Sequence, residues 1–194
     1  MRDDAFDQLI RRDRDHYDLG SGLIVSECVS ISYSVVLEIP GIVHMFLHDP
    51  GDNDRIHAED IPGKSLEEAG LLPFRITPQM KSKYMDGGEE LVRLMKKARM
   101  AGTVISLDLA DVDSGSEAVQ ADWTGILNTV DYFVTSVEEP IYMEDRPSFD
   151  RLKSLAGRRD ITEAVDLRNG VPALAEQCLR WGAGVVLIKC DIDE

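Results

Sequence analysis

From about residue 71 onward, strand-length apolar runs alternate with helix-period stripes, and that alternation leaves few architectures open to the chain. Residues 71–77 read as an apolar strand interrupted by Pro73. Leu91, Leu94, Met95 and Ala98 then share one face of a helix that Gly102 ends. Residues 103–109 read as a second strand and 116–130 as helix. Residues 131–136 form a third strand, followed by short helical pieces that carry Glu138 and Glu139. Leu174, Cys178 and Trp181 mark the buried face of a further helix, stopped by Gly182, Ala183 and Gly184. The run 185–190 is apolar enough to be buried on both faces. Strands alternating with helices predict an α/β fold with a mostly parallel sheet and right-handed crossovers.

The earlier part of the chain follows a different pattern. Asp3 or Asp4 can cap a first helix on which Phe6, Leu9, Ile10 and Tyr17 trace a stripe, and Gly20, Ser21 and Gly22 stop it. Residues 23–25 form a short strand. Ile31, Tyr33, Val35, Leu37 and Ile39 alternate with Ser32, Ser34, Val36 and Glu38, a period of two that predicts one buried and one mostly wet face. After Pro40 and Gly41, residues 44–48 read as an antiparallel partner strand, and 49–60 as an acidic, turn-rich loop. A length of 194 residues fits one domain, 1–194, in which 23–50 is a small β segment and 70–194 the strand–helix part.

Charge narrows the partners. Thirty-six acidic against 21 basic side chains leave a formal charge of −15, which argues against nucleic acid or an anionic membrane, since phosphates demand a basic face. A hydrophobic share of 43% supports a real core and argues against disorder. No apolar run reaches the roughly 20 residues of a bilayer span, and Met1 to Asp4 show no signal-peptide apolar region. Cys28, Cys178 and Cys190 are odd in number and widely spaced, so they make neither a disulfide framework nor a zinc site. The expectation is a soluble protein of a reducing, cytoplasmic compartment.

In open parallel sheets, ligands bind beyond the carboxyl ends of the strands. Asp108, Asp111 and Asp113 follow one such strand; Ser136, Glu138 and Glu139 follow the next. Carboxylates on that edge suit Mg²⁺, a hard cation bound through oxygen. Acidic residues also favour helix N-termini because they complement the dipole, and for Asp111, Asp113 and Glu117 that structural reading is preferred. The loop group His48, Asp49, Asp52, Asp54, His57 and Asp60 matches neither an EF-hand nor a zinc motif and reads as a solvated loop. His16 and His44 have no recognisable partner. No Gly-x-Ser-x-Gly elbow occurs, and Cys178 reads as core. A phosphate cradle needs backbone N–H groups at a glycine-rich helix start. Glycines 20, 22, 182 and 184 run into strands instead, and Asp86, Glu89 and Glu90 surround Gly87 and Gly88. The residues themselves offer no anion hole.

Several strings nonetheless resemble ribokinase-like (PfkB) carbohydrate kinases. Asp3-Asp4-Ala5-Phe6 resembles that family's Gly-Asp-Asp-x-Phe-Gly segment. Ser32-Tyr33-Ser34-Val35-Val36-Leu37, Pro40-Gly41-Ile42, Phe46-Leu47-His48 and Gly51-Asp52-Asn53-Asp54 resemble one subfamily's strand-and-loop region. Met85-Asp86-Gly87-Gly88-Glu89-Glu90-Leu91, Ser106-Leu107-Asp108-Leu109-Ala110, Ala121-Asp122-Trp123, Val134-Thr135-Ser136-Val137-Glu138-Glu139 and Leu187-Ile188-Lys189-Cys190 are similar to the same group, in order along nearly the whole chain.

The resemblance implies a partial αβα sandwich with a small β lid near residues 31–48, and transfer of the ATP γ-phosphate to a sugar hydroxyl. It places Ser136 to Glu139 on the family's Asn-x-x-Glu motif, with Ser136 in place of Asn, and implies that Ser136, Glu139 and Lys189 face the nucleotide while Glu139 and Asp108 face Mg²⁺. Asp7 and Asp191 stand where related chains carry glycine. The family's N-terminal sugar-gripping part and its C-terminal Gly-Ala-Gly-Asp motif, which supplies the anion hole and the aspartate base, are not in the sequence. Losing an oxyanion-type donor costs on the order of 100- to 1000-fold, and losing a positioned base about 100- to 10,000-fold. The leading expectation is therefore a truncated or degenerate sugar kinase that is inactive as an isolated chain. Behind it stand a module that dimerises through the lid strands and a small Mg²⁺-dependent enzyme built on Asp108, Asp111, Asp113 and Glu139.

Overall fold

The structure, a computed structural model, describes residues 5–17, 30–38, 45–77, 80–109, 121–157 and 159–190. Four strands, β3 (Leu71–Ile76), β4 (Val104–Leu109), β5 (Tyr132–Ser136) and β6 (Val185–Lys189), form a parallel sheet in the order β3-β4-β5-β6. Between them run α3 (Glu89–Met100), α4 (Trp123–Leu127), α5 (Glu138–Glu144), α6 (Arg146–Ala156) and α7 (Leu167–Arg180). The expected α/β architecture is present. Pro73 sits in β3, an outer strand of the described sheet, where a missing N–H does least damage.

The helices form where the sequence supplies both a stripe and its stops. In α3, Leu91, Leu94, Met95 and Ala98 are buried, Glu89 and Glu90 occupy the first turn, and Lys97 and Arg99 the last, each sign matching the helix dipole. Asp166 caps α7 by accepting from the Arg168 N–H, and Cys178 and Leu174 point into the core. Gly182, at φ +116°, makes the turn from α7 into β6. A side chain there would meet the Asn128 backbone at 2.8 Å, so the position admits only glycine.

Strands laid down in one direction with right-handed crossovers carry their helices on one side, and the burial pattern shows it. Ile105, Leu107, Leu109 and Phe133 join the helices' buried residues in a single core, with Leu72, Phe74, Val186 and Ile188 packed against it. The opposite face is open: Leu71, Val104, Tyr132, Val185 and Leu187 are 39–54% exposed. This corrects the reading of 185–190 as buried on both faces. β6 is an outer strand of the described sheet, and its alternate side chains point away from every described helix.

The remaining α-helices and strands are α1 (Ala5–His16), β1 (Tyr33–Leu37), β2 (Met45–Asp49) and α2 (Gly63–Glu68). β1 and β2 pair antiparallel as expected, Ser34 opposite His48 with a 2.6 Å hydrogen bond between their side chains. The expected buried face of β1 is not found: all five of its residues are exposed, because among the described residues the ribbon has only two strands and no layer against it. Of the first-helix stripe, Phe6, Leu9 and Tyr17 are exposed and Ile10 is part-buried, and Phe6 stacks on Tyr33 with ring centroids 5.8 Å apart.

The acidic loop differs from its solvated expectation in one part. It holds two 3₁₀ turns, Gly51–Arg55 and Ala58–Asp60, and the second is strapped to α3. The Ala58 N–H donates to Glu90 Oε1 at 2.6 Å, Lys97 Nζ donates to the carbonyls of Ala58 and Ile61, and buried Lys83 donates to the Ile56 carbonyl. The helix over 116–130 is observed as α4, within 123–127. The Asp3/Asp4 cap, the 20–22 stop, the 23–25 strand, Cys28, His44, Asp111, Asp113, Glu117 and Asp191 lie outside the described residues.

Candidate functional site at the carboxyl ends of the strands

β5 ends at Ser136, and after Val137 the chain turns directly into α5, so Glu139 falls in that helix's first turn and folds back over the strand end. Its carboxylate is almost fully buried, at 1% exposure. Three donors converge on one oxygen, Oε2: Thr135 Oγ1 at 2.9 Å, the Ser136 N–H at 2.5 Å and Ser136 Oγ at 2.5 Å. Hydrogen bonds to an ionised acceptor are the strong kind. The other oxygen, Oε1, accepts from no donor among the described residues. All three described bonds thus anchor one half of the carboxylate.

Two neighbours complete this environment. Glu138, next along α5, pairs with Lys153 at 3.4 Å. Burial holds its pKa above the usual carboxylate range, Lys153 opposes that, and the charges of Glu139 and Asp160 reinforce it. Tyr84 is buried to 1% exposure with its ring tilted against Trp123, centroids 6.3 Å apart. Its hydroxyl has no hydrogen-bond partner among the described residues. Burial pushes the phenol's pKa well above its ordinary value, and the Glu139 charge adds to the rise, so the group stays protonated.

Asp108 and Lys189 form a second pair. Lys189 Nζ reaches Asp108 Oδ1 at 3.1 Å across β5, and Arg75 Nε approaches Oδ2 at 3.7 Å from β3, where Arg75 is the register partner of Asp108. The sequence-selected residues thus fall into two groups, Ser136 with Glu139 and Asp108 with Lys189. Ser136 is the register partner of Lys189 on the neighbouring strand, but no side-chain hydrogen bond or ion pair joins the two groups. Sequence reasoning missed Thr135, Arg75 and Tyr84. Thr135, adjacent to Ser136, is an inward strand position that could have been found by alternation. Arg75 required the β3–β4 register, and Tyr84 gave no local signal.

Magnesium keeps several waters and uses one or two carboxylates together with phosphate oxygens. Glu139, with Oε1 open, fits that role. Asp108 does not, since both its oxygens already face cations. No group of three metal-ligating side chains occurs among the described residues. Gly87 and Gly88 open α3 beside a cavity of about 640 Å³, but Asp86, Glu89 and Asp122 line it along with Arg93 and Lys96, which does not make an anion cradle. Gly182 to Gly184 enter β6 at the amino end of the sheet, away from Glu139.

No protein-family model and no curated protein matches the chain. Solved structures do. Ribokinase from Giardia lamblia superposes with a TM-score of 0.62 at 12% identity, over 96% of this chain and 49% of that one. The fold is ribokinase-like. Arabidopsis thaliana ribokinase, solved with ribose and ATP, gives a TM-score of 0.56 at 15% identity over 97% of this chain and 53% of its own. A PfkB protein from Polaromonas gives 0.61 at 14% identity, over 96% and 57%. The chain spans about half the length of these ribokinase-like structures. No described helix is long and apolar enough to cross a membrane.

Proposed function

We propose that these 194 residues are the central portion of a sugar-kinase scaffold in which Glu139 contacts a magnesium–nucleotide phosphate group, and that this chain alone does not phosphorylate sugar. The observation that carries the reading is the divided carboxylate of Glu139. Oε2 is fixed by Thr135 and Ser136, and Oε1 is left open at the carboxyl end of β5 in a ribokinase-like fold. Bound Mg²⁺ would neutralise charge on the phosphates during transfer. The chain's own part is to hold Glu139 in one orientation and exclude water around it. Ser136 adds its hydroxyl to that anchor, and Lys189, the register partner of Ser136 on the adjacent strand, becomes a phosphate partner if it exchanges Asp108 for the ligand. Asp108, held by Arg75 and Lys189, serves as counter-ion rather than as metal ligand.

Inactivity follows from composition of the site. The sequence has no Gly-Ala-Gly-Asp string, and Gly87 and Gly88, which precede α3, have Asp86, Glu89 and Asp122 around them. Phosphoryl transfer depends on positioned charge more than on covalent chemistry. The free thiols of Cys178 and Cys190 fit a reducing, cytoplasmic setting. The test is an ATP-consumption assay of the purified chain with a sugar panel. Background rates are expected, with Mg²⁺ binding that Glu139→Gln abolishes; turnover well above background overturns the inactivity.

A second reading has its own observation. Tyr33, Val35 and Val36 on β1 are each about half exposed, an apolar strand surface suited to pairing between copies. Sedimentation should show a dimer that Val35→Asp dissociates, and a monomeric wild-type chain removes this reading.

A further inference from the structure

The cavity beside the start of α3 shares no lining residue with the site at the strand ends, and its two ends carry opposite charge. At about 640 Å³ it falls within the range of small-molecule pockets, about 300–1,000 Å³. α3 and α4 bound it side by side and point the same way. The Asp122 N–H at the start of α4 donates to the Gly87 carbonyl at 2.8 Å, and Arg99 in the last turn of α3 donates to the Asn128 carbonyl at the end of α4 at 3.3 Å. Asp86, Glu89 and Asp122 therefore line one end, Arg93 and Lys96 the other, and Val92 and Gly125 the stretch between.

Two of these charges are committed within the protein: Asp122 caps α4 by accepting from the Gly125 N–H at 3.1 Å, and Arg93 pairs with Glu90 at 2.9 Å. Asp86, Glu89 and Lys96 enter no hydrogen bond or ion pair among the described residues. The helix dipole accounts for an acid at 89 and a base at 96. It does not account for Asp86, which precedes α3 and is the only non-glycine residue at positive φ, +52°, among the described residues. Glycine would take that conformation without strain, and strained backbone is concentrated at ligand sites. The free charges select the ligand. An anion would meet the carboxylates, and a bare cation would leave Lys96 unmatched. Glu89 and Lys96 share one face of α3 about 10 Å apart along the axis, at about 1.5 Å per residue. An extended peptide covers that span in about three residues. We infer that this cavity binds a short zwitterionic peptide of that length, its terminal ammonium between Asp86 and Glu89 and its carboxylate on Lys96. The inference stands apart from the reading of Glu139.

The test titrates the full chain with trialanine and follows the amide resonances of α3 and α4. Two further probes are N-acetyl-trialanine, which lacks the ammonium, and trialanine amide, which lacks the carboxylate. Each should bind at least about tenfold more weakly than trialanine, the loss expected for a hydrogen bond to a charged group. Lys96→Gln should weaken trialanine to the same degree and leave the amide unchanged. Asp86→Gly should weaken trialanine by a smaller factor, since Glu89 remains, and leave the acetylated form unchanged. In both cases the variant removes the partner of a group that the probe already lacks. Glycine suits the backbone at 86 and Lys96 is exposed, so both variants should keep the wild-type Tm. The inference is overturned if millimolar trialanine leaves these resonances unmoved, or if the capped forms bind as tightly as the free peptide. It is also overturned if Lys96→Gln weakens trialanine and its amide alike. If Asp86→Gly fails to fold, the two titrations of Lys96→Gln decide alone.

Discussion

The two faces of the parallel sheet have nearly the same residue types and opposite fates. On one, Leu107, Leu109, Ile105 and Phe133 are fully buried beneath the helices; on the other, Leu71, Val104, Tyr132, Val185 and Leu187 are 39–54% exposed. Within β6 the contrast falls between neighbours, since Val186 and Ile188 pack on the core and Leu187 does not. Side-chain chemistry therefore does not decide which face is covered. Topology does. Successive parallel strands added in one direction by crossovers of one hand leave their helices on one side, and parallel sheets in complete domains are covered on both. The open face carries apolar side chains that no described helix covers. The charged trio Arg75, Asp108 and Lys189 lies on that face, whereas Glu139 and Tyr84 belong to the buried side.

The largest expected effect breaks the covered face. Leu107→Ala should cost about 2–5 kcal/mol by urea unfolding, the range for a large-to-small change in a packed core. Leu187→Ala on the open face should stay within about 0.5 kcal/mol. Equal losses at the two positions would show that the open face is packed in solution. Thiol chemistry gives a second, smaller contrast. Burial pushes the Cys178 thiol up to about 12, while Cys190 is only partly buried. A thiol three units above its ordinary value has about a thousandfold less thiolate at pH 8. Iodoacetamide followed by peptide mass mapping should therefore label Cys190 and leave Cys178 untouched until the chain unfolds. The sign also fixes the alkaline behaviour. The thiol is protonated in the folded chain between its ordinary pKa near 9 and 12 and ionised in the unfolded one, so stability declines as pH rises through that window.

Glu139→Ala comes next. It strands the Ser136 N–H, while the Thr135 hydroxyl keeps the Ser136 carbonyl at 3.2 Å, and should cost about 1–3 kcal/mol in metal-free chain, since a buried donor left unpaired carries its desolvation penalty. Thermal unfolding against Glu139→Gln, which keeps an acceptor, separates the anchoring oxygen from the ligand-facing one. A Glu139→Ala chain as stable as Glu139→Gln would mean that the three hydrogen bonds do little for the fold.

The division between what the sequence discloses and what it hides follows the range of the interactions. The α3 stripe of Leu91, Leu94, Met95 and Ala98 is a local period, and so are the alternating strands and the position of Glu139 just after one of them. Those were readable. The exposure of Leu187 was not, because it depends on strand order and crossover hand rather than on composition. The strap over 56–61 was hidden as well: Ala58 is buried by Glu90 and Lys97, which the sequence presents only as helix surface. Tyr84 meets Trp123 through the third dimension alone. Asp108 was readable as a carboxylate at a strand end, yet its partners come from the two strands on either side of its own pair with β5, which no spacing rule encodes.

Asp108 also gives the smallest and most discriminating effect. Its carboxylate joins Arg75 and Lys189 at 3.7 and 3.1 Å, on side chains that remain substantially solvated. Exposed ion pairs contribute about 0–1 kcal/mol because water screens them and ordering two long side chains opposes the gain. Asp108→Asn should therefore lower stability by less than about 1 kcal/mol, and half-molar salt should shrink the difference further. Its effect on ligand binding should have the opposite sign. Neutralising Asp108 frees Lys189 for an anion, so nucleotide affinity measured with Mg²⁺ present should rise or hold, whereas loss of a metal ligand would lower it. A fall in Mg²⁺ affinity comparable to that of Glu139→Gln would move Asp108 from counter-ion to ligand, and would join the open face to the buried carboxylate in one site.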